Sequence, residues 1–343
     1  MATMDIFQAD AFSMFELSSA VEKMDFNPQM LGGMNLFQPM PVRTKNVWVD
    51  RKTDTLNLIG FSERGSAPDQ NERYSRDMLG LTIPRLAVQD TVWAHEVSGL
   101  REFGSETELM TVQREVAGRL AKMRQKVEYT KEYLRLAAIQ GLALDPADGS
   151  TYYNYYTEFG EDQDVATSFE LDVDTTDVAG ICRELVRSIM RSAKGAWVMG
   201  QSRVVSLAGD DFFDALITHP NVEKFWINWS AAAELRGVDP FASFDFGGIR
   251  FINYRGSDDN SEIAIGSTDA KFFVEGGDGI FVEAMAPADE WMSFVNTPGQ
   301  SVYAVQEIDG SFPSNPRFAK YHVHSYPLMY CQRPATLRRG TLT

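Results

Sequence analysis

His322 and His324, two residues apart, are the nearest approach in this sequence to a metal-binding pair. On a strand they share one face, but a metal needs further ligands, and no carboxylate or thiol stands beside them. Hydrogen-bonded strand histidines are the expectation. His95 and His219 are isolated, and His219-Pro220 reads as a helix stop. Asp145-Pro146-Ala147-Asp148-Gly149 begins like a calcium loop, yet position twelve is Tyr156 where that loop needs glutamate, so a turn is expected. The pairs Asp210-Asp211 and Asp258-Asp259 fall at a helix start and in a polar loop, where capping and solvation account for them. No phosphate-cradling G-x-x-x-x-G-K-[ST] or G-x-G-x-x-G occurs, and no G-x-S-x-G nucleophile turn. The expectation is no catalytic residue, no cofactor and no metal.

Charge narrows the partners. The chain has 343 residues and a net charge of −16, whereas binding to phosphates needs clustered Lys and Arg. Arg333, Arg338 and Arg339 form its only basic cluster. The aromatic run Tyr152 to Tyr156 has the faces to stack on bases, but an acidic stretch follows it, and a packed hairpin explains it better. No run of eighteen apolar residues and no basic leader appears, so no membrane is expected. Cys182 and Cys331 sit in apolar surroundings at no spacing that suggests a disulfide framework or a zinc site, which makes a reducing compartment the default.

The element that must position everything else is a helix predicted over 106–143. Val112, Val116, Leu120, Met123, Val127, Thr130, Leu134 and Ala138 form one apolar stripe at steps of three and four. Lys131, Glu132 and Arg135 fall with the other charges on the face expected to be wet. Ser105 with Glu108 is a capping box, and Gly141 marks the other end. At 1.5 Å per residue the rod is about 55 Å long, more than a compact domain of this size needs. It is too charged for a membrane and too poor in leucine for a self-sufficient coiled coil. A strut is left, with one face on the chain's own sheet and the rest offered to other molecules.

Around it, residues 1–45 are Phe- and Met-rich without regular pattern, suited to lying along another surface. Residues 46–95 read as a two-stranded arm, with a polar turn at Asp50 to Asp54 and a charged middle at Glu63 to Arg73. Such an arm is marginal alone and needs a neighbour. Val165, Phe169, Leu171 and Val173 alternate as a strand returning from a tip at Glu158, Gly160, Glu161 and Asp162. Next comes a helix capped by Thr176 or Asp177, with Val178, Ile181, Leu185, Ile189 and Met190 on its buried side. From 197 to 309 the pattern is compact α/β: strand Val204 to Leu207, helix Asp210 to Thr218, then Phe225 to Ile227 and Gly248 to Tyr254. Ala319 to Met329 returns as strand to the sheet under the strut.

Several separated motifs together resemble the lambda-type major capsid proteins of tailed double-stranded DNA bacteriophages, the capsid protein E family. They are Glu63 to Pro68, Arg101 to Gly104, Thr130 to Gly141, Phe212 to Pro220, Tyr254-Arg255-Gly256, Ala286 to Asp289, Asn296 to Gly299 and His324 to Met329. At Tyr326 the family more often has asparagine, a departure that touches only local turn detail. The resemblance implies an α+β, Hong Kong 97-like coat fold: N-terminal arm 1–45, extended loop 46–95, peripheral domain 96–196 with 310–343, and axial domain 197–309.

The resemblance also implies a major capsid protein that assembles as hexamers and pentamers into an icosahedral virion shell, formed in the bacterial cytoplasm. Its partners would be further copies, a separate scaffolding protein, a portal, a decoration protein where one exists, and packaged DNA held without sequence-specific binding. Acidity then has a use, since the surface beside DNA repels it. The arm's Arg64, Arg73 and Arg76 are expected to meet acids of a neighbour. Glu158, Glu161 and Asp162 are one candidate set, and a three-fold junction is the other place these acids would serve. The rival readings are a nanocompartment shell of the same fold and a soluble α/β enzyme.

Overall fold

The structure, a computed structural model, describes residues 30–53, 75–98, 108–236, 243–254, 264–311 and 317–343. A single helical turn, α1 (Met30–Gly33), and a short strand, β1 (Gln38–Pro41), come first and lie on the chain's own body. Strands β2 (Asn46–Thr53) and β3 (Ser75–Thr82) form the arm, antiparallel in unbroken register from Asn46↔Thr82 to Thr53↔Ser75. The polar stretch Asp50–Thr53 therefore continues β2 and is not a turn. The opposing strand supplies its hydrogen bonds, and that outweighs composition. Asp54 and the stretch Glu63 to Arg73 lie outside the described residues.

β4 (Leu86–Trp93) runs into α2 (Ala94–Ser98), and the apolar stripe folds as α3 (Glu108–Ile139), 32 residues long. Ser105 lies outside the described residues, and the helix stops short of Ala143. Gly141 adopts φ 80°, and a Cβ there would lie 2.4 Å from the Tyr156 ring, so both conformation and space demand glycine. Val116, Leu120, Met123 and Val127 bury against Val92, Ala304, Ala319 and Val323 of an antiparallel sheet in which β14 (Phe318–Ser325) lies between β13 (Tyr303–Ile308) and β4.

β5 (Leu142–Leu144) and β6 (Thr151–Asn154) make a small hairpin across the Asp145 turn, which is knit by Asp145 and Asp148 side chains accepting from Ala147 and Ser150 N–H. The aromatic run then becomes helical, as α4 (Tyr155–Phe159). Asn154 Oδ1 caps it from Tyr156 N–H at 3.1 Å, and Gly160 ends it. The expected return strand is reduced to β7 (Thr167–Ser168). Phe169 and Leu171 are buried, but Val165 is 84% exposed and Val173 43%. Alternation marks a face, whereas a strand needs a partner. Here Phe169 and Leu171 N–H find only Thr341 and Leu342 carbonyls, and Glu170 at φ 45° breaks the extended run.

Asp177 caps α5 (Val178–Ala193) by accepting from Gly180 N–H, and Cys182 takes the buried place expected for Ile181. β8 (Arg203–Ala208) leads to α6 (Asp210–Thr218) and α7 (Pro220–Arg236). Phe225 to Ile227 fall inside α7, which Pro220 starts immediately after the helix stop at His219. The rest is β9 (Ser243–Phe246), β10 (Ile249–Asn253), β11 (Asp269–Glu275), β12 (Phe281–Met285), β13 (Tyr303–Ile308), β14 (Phe318–Ser325), β15 (Pro327–Cys331) and β16 (Arg338–Thr341).

A six-stranded sheet ordered β7–β16–β11–β8–β10–β9 carries the larger core, where Phe169 stacks on Phe272 and meets Phe212 edge-on. The chain's last strand, β16, is thus hydrogen-bonded between β7 and β11, far from its neighbours in sequence. A third sheet, β1–β12–β15, seats the N-terminal strand parallel to β12.

Candidate assembly surface

The arm has one committed face and one free face. Val47 and Leu81, directly opposite each other, are buried against the body, and Val49 and Leu79 pack beside them. On the other face Trp48 is 59% exposed and Met78 64%. Gly80 stands opposite Trp48, and a Cβ on it would meet the indole at 2.8 Å, so the ring lies over the glycine. The arm's foot is fastened to the body. Thr82 N–H donates to the Tyr153 hydroxyl at 3.0 Å, and the Arg85 guanidinium pairs with Glu290 at 3.2 Å, while Ile83 N–H to Lys45 O at 2.9 Å closes the arm's own ladder.

Of the candidate arginines, Arg64 and Arg73 lie outside the described residues, and Arg76 stands in β3 opposite Lys52. The structure brings Glu158, Glu161 and Asp162 together around Gly160, with Glu158 half-buried and the other two exposed. Glu170, Asp172 and Asp174, which the alternation puts on the side away from Phe169 and Leu171, are exposed too and add to the acidic surface. No Lys or Arg occurs from 136 to 182. Among the described residues only Asp164 of this stretch takes a distant cation, Arg338 at 2.8 Å.

Two charges assigned to the wet face of α3 are buried. Lys131 has a side-chain exposure of 1%; its Nζ donates to Ser301 Oγ at 2.6 Å and Ser301 O at 3.1 Å, with Glu128 at 3.6 Å and Glu283 at 3.7 Å. Glu132 accepts from Leu31 N–H at 2.7 Å and Gly32 N–H at 3.1 Å. Arg135 joins the two groups, at 3.5 Å from both Glu132 and Glu283. The reason is that the helix's second half is enclosed on several sides, by α1, β5 and β15. Burial raises the Glu132 pKa, against the lowering effect of Leu31 N–H and Arg135. The sequence shows the i,i+3 charge pairs but carries no sign that they are covered.

His322 and His324 stack at 5.8 Å on one face of β14. His322 Nε2 lies 3.2 Å from the Glu307 carboxylate, and the Arg85 guanidinium is 3.4 Å from His324 Nδ1. A guanidinium only donates, so Nδ1 accepts and the proton sits on Nε2. Burial, then Arg85 and His322, lower the His324 pKa to about 4. Cys182 and Cys331 are buried free thiols, each pushed up to about 12 chiefly by burial. Among the described residues no three His, Cys, Asp or Glu side chains gather as a metal site, and no helix is long and apolar enough to cross a membrane.

A body-anchored arm with one free apolar face, a spine helix on a sheet and a long acidic edge are parts shaped for contact with other molecules. Residues 13–342 match the family described as phage major capsid protein E. The chain belongs to that family. It is 24% identical to the major capsid protein of Pseudomonas phage KPP10 over 86% of this chain and 89% of that one. With the major capsid protein of Salmonella phage Felix O1 it shares 23% identity over 95% of each chain. The fold is that of a putative capsid protein of an E. coli CFT073 prophage, at TM-score 0.57 and 12% identity, covering 96% of this chain and 99% of the other. This family membership upholds the phage coat reading over the nanocompartment shell and the soluble enzyme.

Proposed function

We propose that the chain is the coat subunit of a phage head, closing with copies of itself, as hexamers and pentamers, into an icosahedral shell around packaged double-stranded DNA. Its role is structural and not catalytic. Assembly takes place in the host cytoplasm with a separate scaffold and a portal, and a decoration protein is compatible with the outer surface. The units are the N-terminal arm 1–45, extended loop 46–95, peripheral domain 96–196 with 310–343, and axial domain 197–309. The observation that carries the reading is the bare face of the arm: Trp48 and Met78 remain exposed while Val47 and Leu81 on the opposite face are already buried. Large apolar side chains left in water on an anchored arm suit a surface that a second copy covers. In the same reading the arm's Arg64, Arg73 and Arg76 pair with Glu158, Glu161 and Asp162 of a neighbour. Negative-stain microscopy and sedimentation of the protein expressed with its scaffold test it. Closed particles of megadalton mass are expected, and a monomer or small oligomer under every assembly condition would overturn the proposal.

A further inference from the structure

Glu132 holds Leu31 and Gly32 on the spine helix, so everything before Met30 sets out from that point. Residues 1–29 lie outside the described residues. In sequence they carry Phe7, Phe12, Phe15 and Phe26, together with five carboxylates against one lysine. A segment this short with so many aromatics has no core of its own to bury them in.

Two residues along the same helix, Leu134 lines a cavity of about 120 Å³. Its other walls include Pro84 and Leu86 at the arm's foot, Leu144 and Tyr152 of the β5–β6 hairpin, and Met329 of β15. Only Arg85 and Asp145 bring charge to the lining. A dry cavity of about 150 Å³ takes one benzene, so this one has room for a single aromatic ring.

We propose that this cavity is the socket for one phenylalanine of residues 1–29. Size and apolarity match the ring. Reach matches as well. Four residues span at most about 14 Å and half the way round a helix about 10 Å across is about 16 Å, so Phe26 reaches its own subunit's socket only with the length of its side chain added. Fifteen residues span about 50 Å, so Phe15 and those before it can enter a neighbour's. Because Pro84 and Leu86 form the arm's foot, an occupied socket braces the arm, and the N-terminal segment becomes a strut for its orientation. The proposal does not depend on shell formation.

Disulfide trapping in the full chain tests it. Cys182 and Cys331 are fully buried, which leaves introduced thiols as the reactive ones. Tyr152→Cys at the rim is combined in turn with a cysteine beside each phenylalanine, the ring itself kept: Gln8→Cys next to Phe7, Ala11→Cys next to Phe12, Glu16→Cys next to Phe15 and Asn27→Cys next to Phe26, with Ser18→Cys as the comparison. The expected result is one of the four positions beside a phenylalanine crosslinking at least tenfold faster than Ser18→Cys, with that advantage lost when Leu144→Trp fills the cavity. A product within one chain places the ring in its own socket, and a ladder of chains places it in a neighbour's; each supports the proposal. All four positions no faster than Ser18→Cys would overturn it, as would an advantage that survives in a folded Leu144→Trp protein. Should Leu144→Trp fail to fold, the rate comparison decides alone.

Discussion

At the scale of single residues, buried charge fastens distant segments of the chain to the spine helix. Glu283 sits between Lys131 and Arg135, both nearly enclosed. Removing one partner of a buried pair strands the other charges, so Glu283→Ala should cost about 3–5 kcal/mol in urea unfolding. Lys131→Met leaves Glu128, Glu132 and Glu283 with Arg135 as the one cation of the cluster, and should cost at least as much. His324 makes stability depend on pH. Its pKa is lowered from 6.5 to about 4, so its contribution is fully present above about pH 6.5 and is lost as pH falls toward 4. By pH 5 the loss is on the order of 2 kcal/mol. Arg85, paired with Glu290, and His322, paired with Glu307, face it in the wild type and the variant alike, so the comparison is with His324→Asn, which keeps an acceptor for Arg85. Urea midpoints at pH 7 and pH 5 should fall further apart for the wild type than for the variant. Equal falls would mean that His324 protonates without penalty.

At the scale of elements, the C-terminal end of the spine is set by glycine geometry, and two substitutions separate backbone strain from helix propensity. Gly141→Ala meets both a positive φ and the Tyr156 ring, and should cost roughly 1–3 kcal/mol. Gly118→Ala lies on the same helix with nothing within 4 Å, and should gain up to about 1 kcal/mol from helix propensity alone. Thermal unfolding of the two variants should move in opposite directions. The spine, the arm, α5 and the β8–α6 unit were all legible in the sequence, because each buries one face and so writes its period into the residue types. Three things were not. Lys131 and Glu132 lie under α1 and its neighbours, and a stripe of charges looks the same whether it is covered or wet. The stretch Val165 to Asp174 alternates like a strand but has no continuous partner, which only the position of residues 341 and 342 decides. The third is how the acids group in space: alternation turns Glu170, Asp172 and Asp174 outward but does not say how that face lies relative to Glu158, Glu161 and Asp162.

At the scale of the whole molecule, a subunit with net charge −16 must close against copies of itself, so mutual repulsion has to be overcome at specific places. Cations on the arm meeting the exposed acids Glu161, Asp162, Glu170, Asp172 and Asp174 would do this, and would fix register between neighbours as well. Each exposed pair contributes only about 0.2–1 kcal/mol, which makes single reversals mild. A double reversal repeated at every contact of a shell is a different matter, because the same loss recurs in hundreds of copies while each subunit folds as before. Arg73→Glu with Arg76→Glu should therefore leave a soluble subunit with an unchanged unfolding midpoint and no particles on sedimentation. Adding Glu161→Arg and Asp162→Arg to the same chain restores opposite signs across the contact and should restore particles. Normal shells from the double reversal would rule out the pairing. An assembly defect that the added arginines leave untouched would move the arm's partner elsewhere, the three-fold junction being the next place to probe.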